Sequence, residues 1–284
     1  MQKSTFLTDR KAIRAAISLS SGHGLSEYCL PNIYLYRQTH QYVFVEGQLS
    51  FIRGYTYDGI PHVMPLFSMA QCPDWLIEDT KSRNGCFYPI PEQALDEIDI
   101  TRFDLVANPD DADYLYKVAE LSDFSRAKLG EKRRQISRLL EKVNLTGIEF
   151  SDDHIKHAQQ ILNEWQSAID RTWKQTDYEA CQEALCLRSR LGLFGYIFYV
   201  NDDIPAGFVL AGKLTDTCAV VHFAKALRRY DGIFPYMFNF LARKCIDRFE
   251  TLNFEQDLGE PGLRQWKRSF APLTQLNKFR LFPK

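Results

Sequence analysis

Glu255 and Asp257 are the first residues from which chemistry can be argued. They lie two apart in Leu252 to Leu258, a run that reads as a strand, so both carboxylates project from one face and Gln256 from the other. A carboxylate at a strand end can deprotonate an attacking amine, the proton transfer that acyl transfer to an amine requires. Either one can equally pair with Arg264 or Lys267 inside the fold. Lys267, one helical turn from Arg264, can stabilise a developing oxyanion or hold a carboxylate. Glu255, Asp257 and Lys267 are therefore the candidate catalytic residues.

A second group has the chemistry of anion binding. Arg228, Arg229, Tyr230, Asp231, Gly232 and Ile233 fill a loop between an apolar strand and a helix that begins near Pro235. Gly232 lets the backbone turn sharply, and amides at a helix start can point at a phosphate. An arginine there adds a charge-assisted bond of roughly 1.5–3 kcal/mol. Lys132 and Arg134 belong to a basic stretch, Arg126 to Lys142, that carries seven Lys/Arg and two Glu. On a helix Arg134 and Arg138 share a face while Arg133 points elsewhere, so a single ligand meets only part of the set.

The 284 residues suggest two domains, and 45% hydrophobic with 25% charged residues excludes disordered and low-complexity classes. With 35 basic against 36 acidic residues, general nucleic-acid affinity is not expected. The basic charge is nevertheless local, because Pro261 to the end holds six Lys/Arg and no acid. Seven scattered cysteines without a C-x-x-C pair favour reduced thiols, and His154 with His157 is too sparse for zinc, so no metal is expected. No apolar run is long enough to span a bilayer, and MQKSTFLTDRK lacks a signal-type apolar core, which points to a cytoplasmic protein.

These residues need elements to position them. Apolar spacing predicts helices from Ser151 to Ile169 and, with Thr176 and Glu179 as a capping box, on to Leu187. Three strand-like runs follow, Leu193 to Val200, Ile204 to Leu214 and Cys218 to Leu227, with turns short enough to force antiparallel hairpins. A helix from about Pro235 to Phe249, the strand Leu252 to Leu258, a short helix to about Phe270 and a strand Leu276 to Phe282 complete this half. The first half reads as a helix from Arg10 to Leu19, then strands Ile33 to Tyr36, Tyr42 to Val45 and Leu49 to Tyr55. Helices at Trp75 to Lys81 and Glu92 to Ile98, a strand Phe103 to Ala107, a helix Ala112 to Leu121 and the basic helix after Gly130 follow, with the junction at Asn144 to Gly147.

The element order of the second half resembles the GNAT acyltransferase fold. Its donor-loop pattern, Q/R-x-x-G-x-G/A, is matched by Arg229 and Gly232, while Phe234 stands where Gly or Ala is usual. Two further blocks are more specific. They are Asp113-Tyr114-Leu115-Tyr116 with Glu120-Leu121 and Lys132-Arg133-Arg134-Gln135-Ile136, and Phe254-Glu255-Gln256-Asp257-Leu258-Gly259 with Gly262-Leu263-Arg264, Lys267 and Pro272. The chain thereby resembles the tandem-GNAT family related to the C-terminal domain of phosphatidylglycerol lysyltransferase.

That resemblance implies an α+β fold of two tandem GNAT-like acyltransferase domains, residues 1–146 and 147–284, each a mixed, mostly antiparallel sheet flanked by helices. It implies transfer of an acyl group from acyl-CoA, or of an aminoacyl group from aminoacyl-tRNA, to a small-molecule or peptide amine. The alternative is a non-catalytic module on a degenerate double GNAT fold that holds tRNA or another polyanion.

Overall fold

Short strands, several of them buried on both faces, build the first sheet of the computed structural model, which describes residues 10–20 and 24–284. The expectation about an N-terminal leader falls largely on residues outside that range. The elements of this part are α1 (Arg10–Ser20), α2 (Leu30–Leu35), β1 (Val43–Val45), β2 (Phe51–Tyr55), β3 (Pro61–Pro65), α3 (Asp74–Ser82), β4 (Cys86–Pro91) and β5 (Phe103–Ala107). The last strand of the chain, β13 (Lys278–Pro283), joins them, giving the order β1-β2-β3-β4-β13-β5. All its pairings are antiparallel except β3 with β4. Phe51, Val63, Phe87 and Leu281 pack with Leu76 and Ile77 of α3 to form an apolar core. Their strand neighbours His62, Tyr88 and Arg280, also buried, project the other way.

The second sheet is built from β6 (Asp113–Lys117), β7 (Leu145–Glu149), β8 (Leu193–Val200), β9 (Ile204–Lys213), β10 (Cys218–Ala226), β11 (Thr251–Asn253) and β12 (Thr274–Leu276). Its order is β12-β6-β11-β10-β9-β8-β7, with β10 and β11 parallel. The helices of this part are α4 (Val118–Asp123), α5 (Gly130–Leu140), α6 (Ile155–Ser167), α7 (Tyr178–Leu191), α8 (Ile233–Cys245) and α9 (Pro261–Arg268). Met237, Phe238 and Leu241 of α8 pack with Phe198, Val209, Phe254 and Phe270 in one core. The chain divides into two compact units. One is Met1–Asp113, Gln256–Pro261 and Gln275–Lys284, and the other is Tyr114–Glu255 and Gly262–Thr274.

The three hairpin strands and the helix after them stand where the spacing placed them. Other segments differ, each for a local reason. Ile33 to Tyr36 is not a strand but the end of α2, where Pro31 in the first turn presets a helical φ. Ala112 to Leu121 divides into β6 and α4, because Tyr114 and Tyr116 alternate in a strand before helical spacing begins. Strands β3 and β4 begin or end in proline and were not visible as apolar runs. The capping box before α7 is Thr172 with Gln175, and Asp177 rather than Thr176 precedes the helix. The junction expected at Asn144 to Gly147 is occupied by β7, which pairs with β8 through five residues. Both compact units are discontinuous in sequence.

Candidate active site

Strands β10 and β11 stay paired only from Cys218↔Thr251 to Val220↔Asn253. Beyond Val220, β10 runs on for six residues while β11 has ended, so the two parallel strands part. At that point β10 carries a bulge against β9, since Val221 pairs with Ala211 and Phe223 with Leu210, leaving His222 as the extra residue. The bulge directs the imidazole so that Nδ1 lies 3.0 Å from Glu255 Oε1. The His222 side chain is 1% exposed and that of Glu255 18%. Gly212 on β9 makes room for the ring, because a Cβ there would stand 3.0 Å from His222 Nε2.

Glu255 thus belongs to a carboxylate–imidazole pair at the mouth of a strand splay, and its position is not that of a strand residue. Its φ is +56°, a conformation non-glycine residues rarely adopt. Several bonds hold it there. Its amide donates to Asn253 Oδ1 at 2.7 Å, and its carbonyl accepts from the Tyr114 amide at 3.2 Å and from Lys267 Nζ at 3.0 Å. Lys267 Nζ also donates to the Phe254 carbonyl at 2.6 Å, and the Lys267 carbonyl accepts from the Tyr116 hydroxyl at 2.8 Å. Lys267 is 5% exposed, so it is not an exposed helix lysine. Its ammonium ties the carbonyls of Phe254 and Glu255 together.

Asp257 lies in the turn that follows. The strand expected to run to Leu258 ends at Asn253, and positive φ values at Glu255, Leu258 and Gly259 turn the chain. Asp257 is fully buried in the turn and accepts the Gly259 amide at 3.0 Å. The two carboxylates therefore do not share a strand face.

The loop before α8 is more closed than its sequence suggests. Gly232 has φ +93°, and a Cβ on it would lie 2.5 Å from the Gln135 carbonyl oxygen of α5. Helix α5 therefore packs directly against the Gly232 backbone. The Ile233 amide donates to the Tyr230 carbonyl at 3.1 Å, which removes one of the expected anion donors. Arg229 pairs with Glu164 and stacks over Tyr230, while Arg228 and Asp231 are exposed. The Phe234 ring does not enter the loop but packs against Trp266 and Phe238. Of the α5 residues, Lys132 sits 4.3 Å from the Phe270 ring centroid and Arg134 pairs with Glu131. Burial pulls the Lys132 ammonium below its usual pKa, partly offset by Glu131 and Asp231.

Three buried charged groups lacked a clear motif. Lys225, on β10 three residues past His222, donates to both Asp177 oxygens at 2.6 and 2.8 Å and lies 3.6 Å from the Trp165 ring centroid. In the first unit Lys278 donates to Glu27 at 2.7 Å, Asp113 at 2.6 Å and Gln256 at 2.7 Å. Two residues on, Arg280 binds Asp111 through two nitrogens and Asp58 through a third. Basic residues alternating with Phe279 and Leu281 in an otherwise apolar strand were the available signal. Burial raises Glu27 to about 7 despite Lys278, and Asp113 adds to the rise.

Two mostly antiparallel sheets flanked by helices give an α+β architecture of two GNAT-like domains in tandem. The chain belongs to the family described as phosphatidylglycerol lysyltransferase, C-terminal, whose model matches residues 20–282. Its fold is shared with a conserved protein of unknown function from Bacteroides thetaiotaomicron VPI-5482, with a TM-score of 0.87 at 23% identity over 100% of this chain and 99% of that one. L-PGS from Bacillus licheniformis matches with a TM-score of 0.67 at 12% identity, over 97% and 92% of the two chains. FemX matches with a TM-score of 0.62 at 9% identity, over 100% and 97%. No curated protein matches the sequence. Among the described residues no helix is long and apolar enough to cross a membrane, and no cluster of His, Cys, Asp and Glu could hold a metal ion.

Proposed function

We propose that the protein transfers an aminoacyl group from an aminoacyl-tRNA to an amine acceptor at the β10–β11 splay, with His222 and Glu255 acting together as the base. The observation that carries this reading is the pair itself, 3.0 Å apart where a bulge and a strand end coincide. The amine lone pair attacks the ester carbonyl carbon and a C–N bond forms. The ammonium proton passes to the imidazole–carboxylate pair, the C–O bond to the ribose breaks, and the departing oxygen takes up the proton. A base so placed is worth roughly 10²–10⁴-fold in rate. Lys267 keeps Glu255 in register by holding the carbonyls of residues 254 and 255.

The donor preference rests on the loop. An acyl-CoA would need its diphosphate at the Gly232 loop, against which α5 packs closely and where the Ile233 amide is already paired, whereas an aminoacyl ester does not require that cradle. Lys128, Arg134 and Arg138 on or beside α5 offer exposed positive charge to a tRNA acceptor end. Family membership supports the same direction, since the family takes its name from a lysyltransferase.

Purified protein incubated with a panel of radiolabelled aminoacyl-tRNAs, acetyl-CoA and simple amines tests the reading. It predicts label transfer from at least one aminoacyl-tRNA and none from acetyl-CoA. Salt-sensitive tRNA binding without transfer to any acceptor would favour the non-catalytic alternative.

A further inference from the structure

The Lys278 side chain is 0% exposed, and each proton of its ammonium has a different acceptor. It donates to Glu27 Oε1 at 2.7 Å, Asp113 Oδ1 at 2.6 Å and Gln256 Oε1 at 2.7 Å. The two carboxylates are themselves held. Asp113 accepts from the Ser26 amide at 2.7 Å and hydroxyl at 2.9 Å, and Glu27 from the Tyr88 hydroxyl at 3.2 Å. The ammonium is therefore a fixed point. The neutral Gln256 amide is tied to it although the carboxylates already balance its charge.

Both Asp113 and Gln256 adjoin the backbone of the candidate base. Tyr114, next to Asp113, donates its amide to the Glu255 carbonyl at 3.2 Å, and Glu255 precedes Gln256. Two residues beyond Gln256, the Leu258 amide donates to the Asp110 carbonyl at 3.2 Å. Glu255 has φ +56°, a conformation that persists only where the surroundings over-determine it. Asn253 and Lys267 hold its amide and its carbonyl. On its C-terminal side the chain leads to Gln256, which Lys278 anchors.

We propose that Lys278 is a positioning residue for the His222–Glu255 pair: by tying Gln256 to Asp113 it fixes the peptide after Glu255 and aims the carboxylate at His222 Nδ1. The inference rests on the reading of that pair as the base. Lys278 acts through the peptide bond between residues 255 and 256 and takes no part in proton transfer.

Lys278→Met would leave buried carboxylates without their cation and is expected to unfold the protein. Gln256→Met is the informative variant, because it removes the tether and keeps both ion pairs. Heteronuclear NMR of the histidine-labelled full chain reads the imidazole, with His222 assigned by its loss in His222→Gln. Gln256→Met should move the His222 Nδ1 resonance in the same direction as Glu255→Gln. Gln256→Glu, which keeps an oxygen for Lys278, should leave it at the parental position. Single-turnover transfer by Gln256→Met should fall roughly tenfold to hundredfold with donor affinity retained.

A folded Gln256→Met protein with parental His222 resonances would overturn the proposal, as would a parental rate of transfer or a displaced resonance in Gln256→Glu. Loss of the fold in Gln256→Met, seen by circular dichroism, would overturn it in favour of a purely structural role. The spectra need no donor. A parent that transfers no aminoacyl group therefore counts against the proposed function, while the resonances still decide whether Lys278 positions Glu255.

Discussion

His222 and Glu255 meet at 3.0 Å because two backbone irregularities coincide. One is the bulge that makes His222 an extra residue in β10, and the other is the left-handed conformation of Glu255 just past the end of β11. Neither irregularity helps a sheet to form, and a strained φ at a non-glycine residue costs on the order of 1–3 kcal/mol. The surrounding bonds from Asn253, Tyr114 and Lys267 hold Glu255 in that conformation.

Replacing Lys267 with Met tests the positioning role. It leaves the carbonyls of Phe254 and Glu255 short of a buried donor, so a stability loss of about 1–3 kcal/mol is expected. At a temperature where the variant is folded, transfer should slow while affinity for aminoacyl-tRNA persists. Urea denaturation and single-turnover kinetics measure the two effects separately, and unchanged turnover would contradict the assignment.

Gly232→Ala should destabilise the second unit. The added Cβ meets the Gln135 carbonyl at 2.5 Å and must adopt φ near +93°, so the close packing of α5 on the loop has to open. A loss of about 2 kcal/mol is expected from the urea midpoint. An unchanged midpoint would mean that α5 does not close the loop in solution.

The second half was legible in sequence because its strands are long, apolar and joined by turns of few residues. Glu255 was legible as a base candidate from its place near a strand end. His222 was not, because a lone histidine in an apolar strand looks the same whether or not the strand is bulged. Nor was the closure of the Gly232 loop, which depends on the backbone of α5, about a hundred residues earlier in the chain. In the first unit, prolines at the ends of β3 and β4 disguised two strands. Distant segments supply Glu27, Asp113 and Lys278, so no local spacing announced their cluster.

Glu27→Gln should change how stability depends on pH. Burial holds the folded-state carboxyl at about 7, above its ordinary value of 4.5, with Lys278 only partly opposing it. The folded state therefore binds a proton more tightly than the unfolded one. That contribution is fully present below pH 4.5 and is lost as pH rises through 7. The parent should lose stability relative to the variant across this window, by on the order of 1–3 kcal/mol. Parallel urea titrations at pH 4.5 and 7.5 measure the difference, and a constant gap between the two proteins would contradict it.

The central claim is tested most directly by the single-turnover rate of aminoacyl transfer in His222→Gln, measured at saturating donor beside the parent. The account predicts a fall of roughly 10²–10⁴-fold with donor affinity retained and a matching fall for Glu255→Gln. A folded His222→Gln protein that transfers at the parental rate would show that the imidazole takes no part in the chemistry.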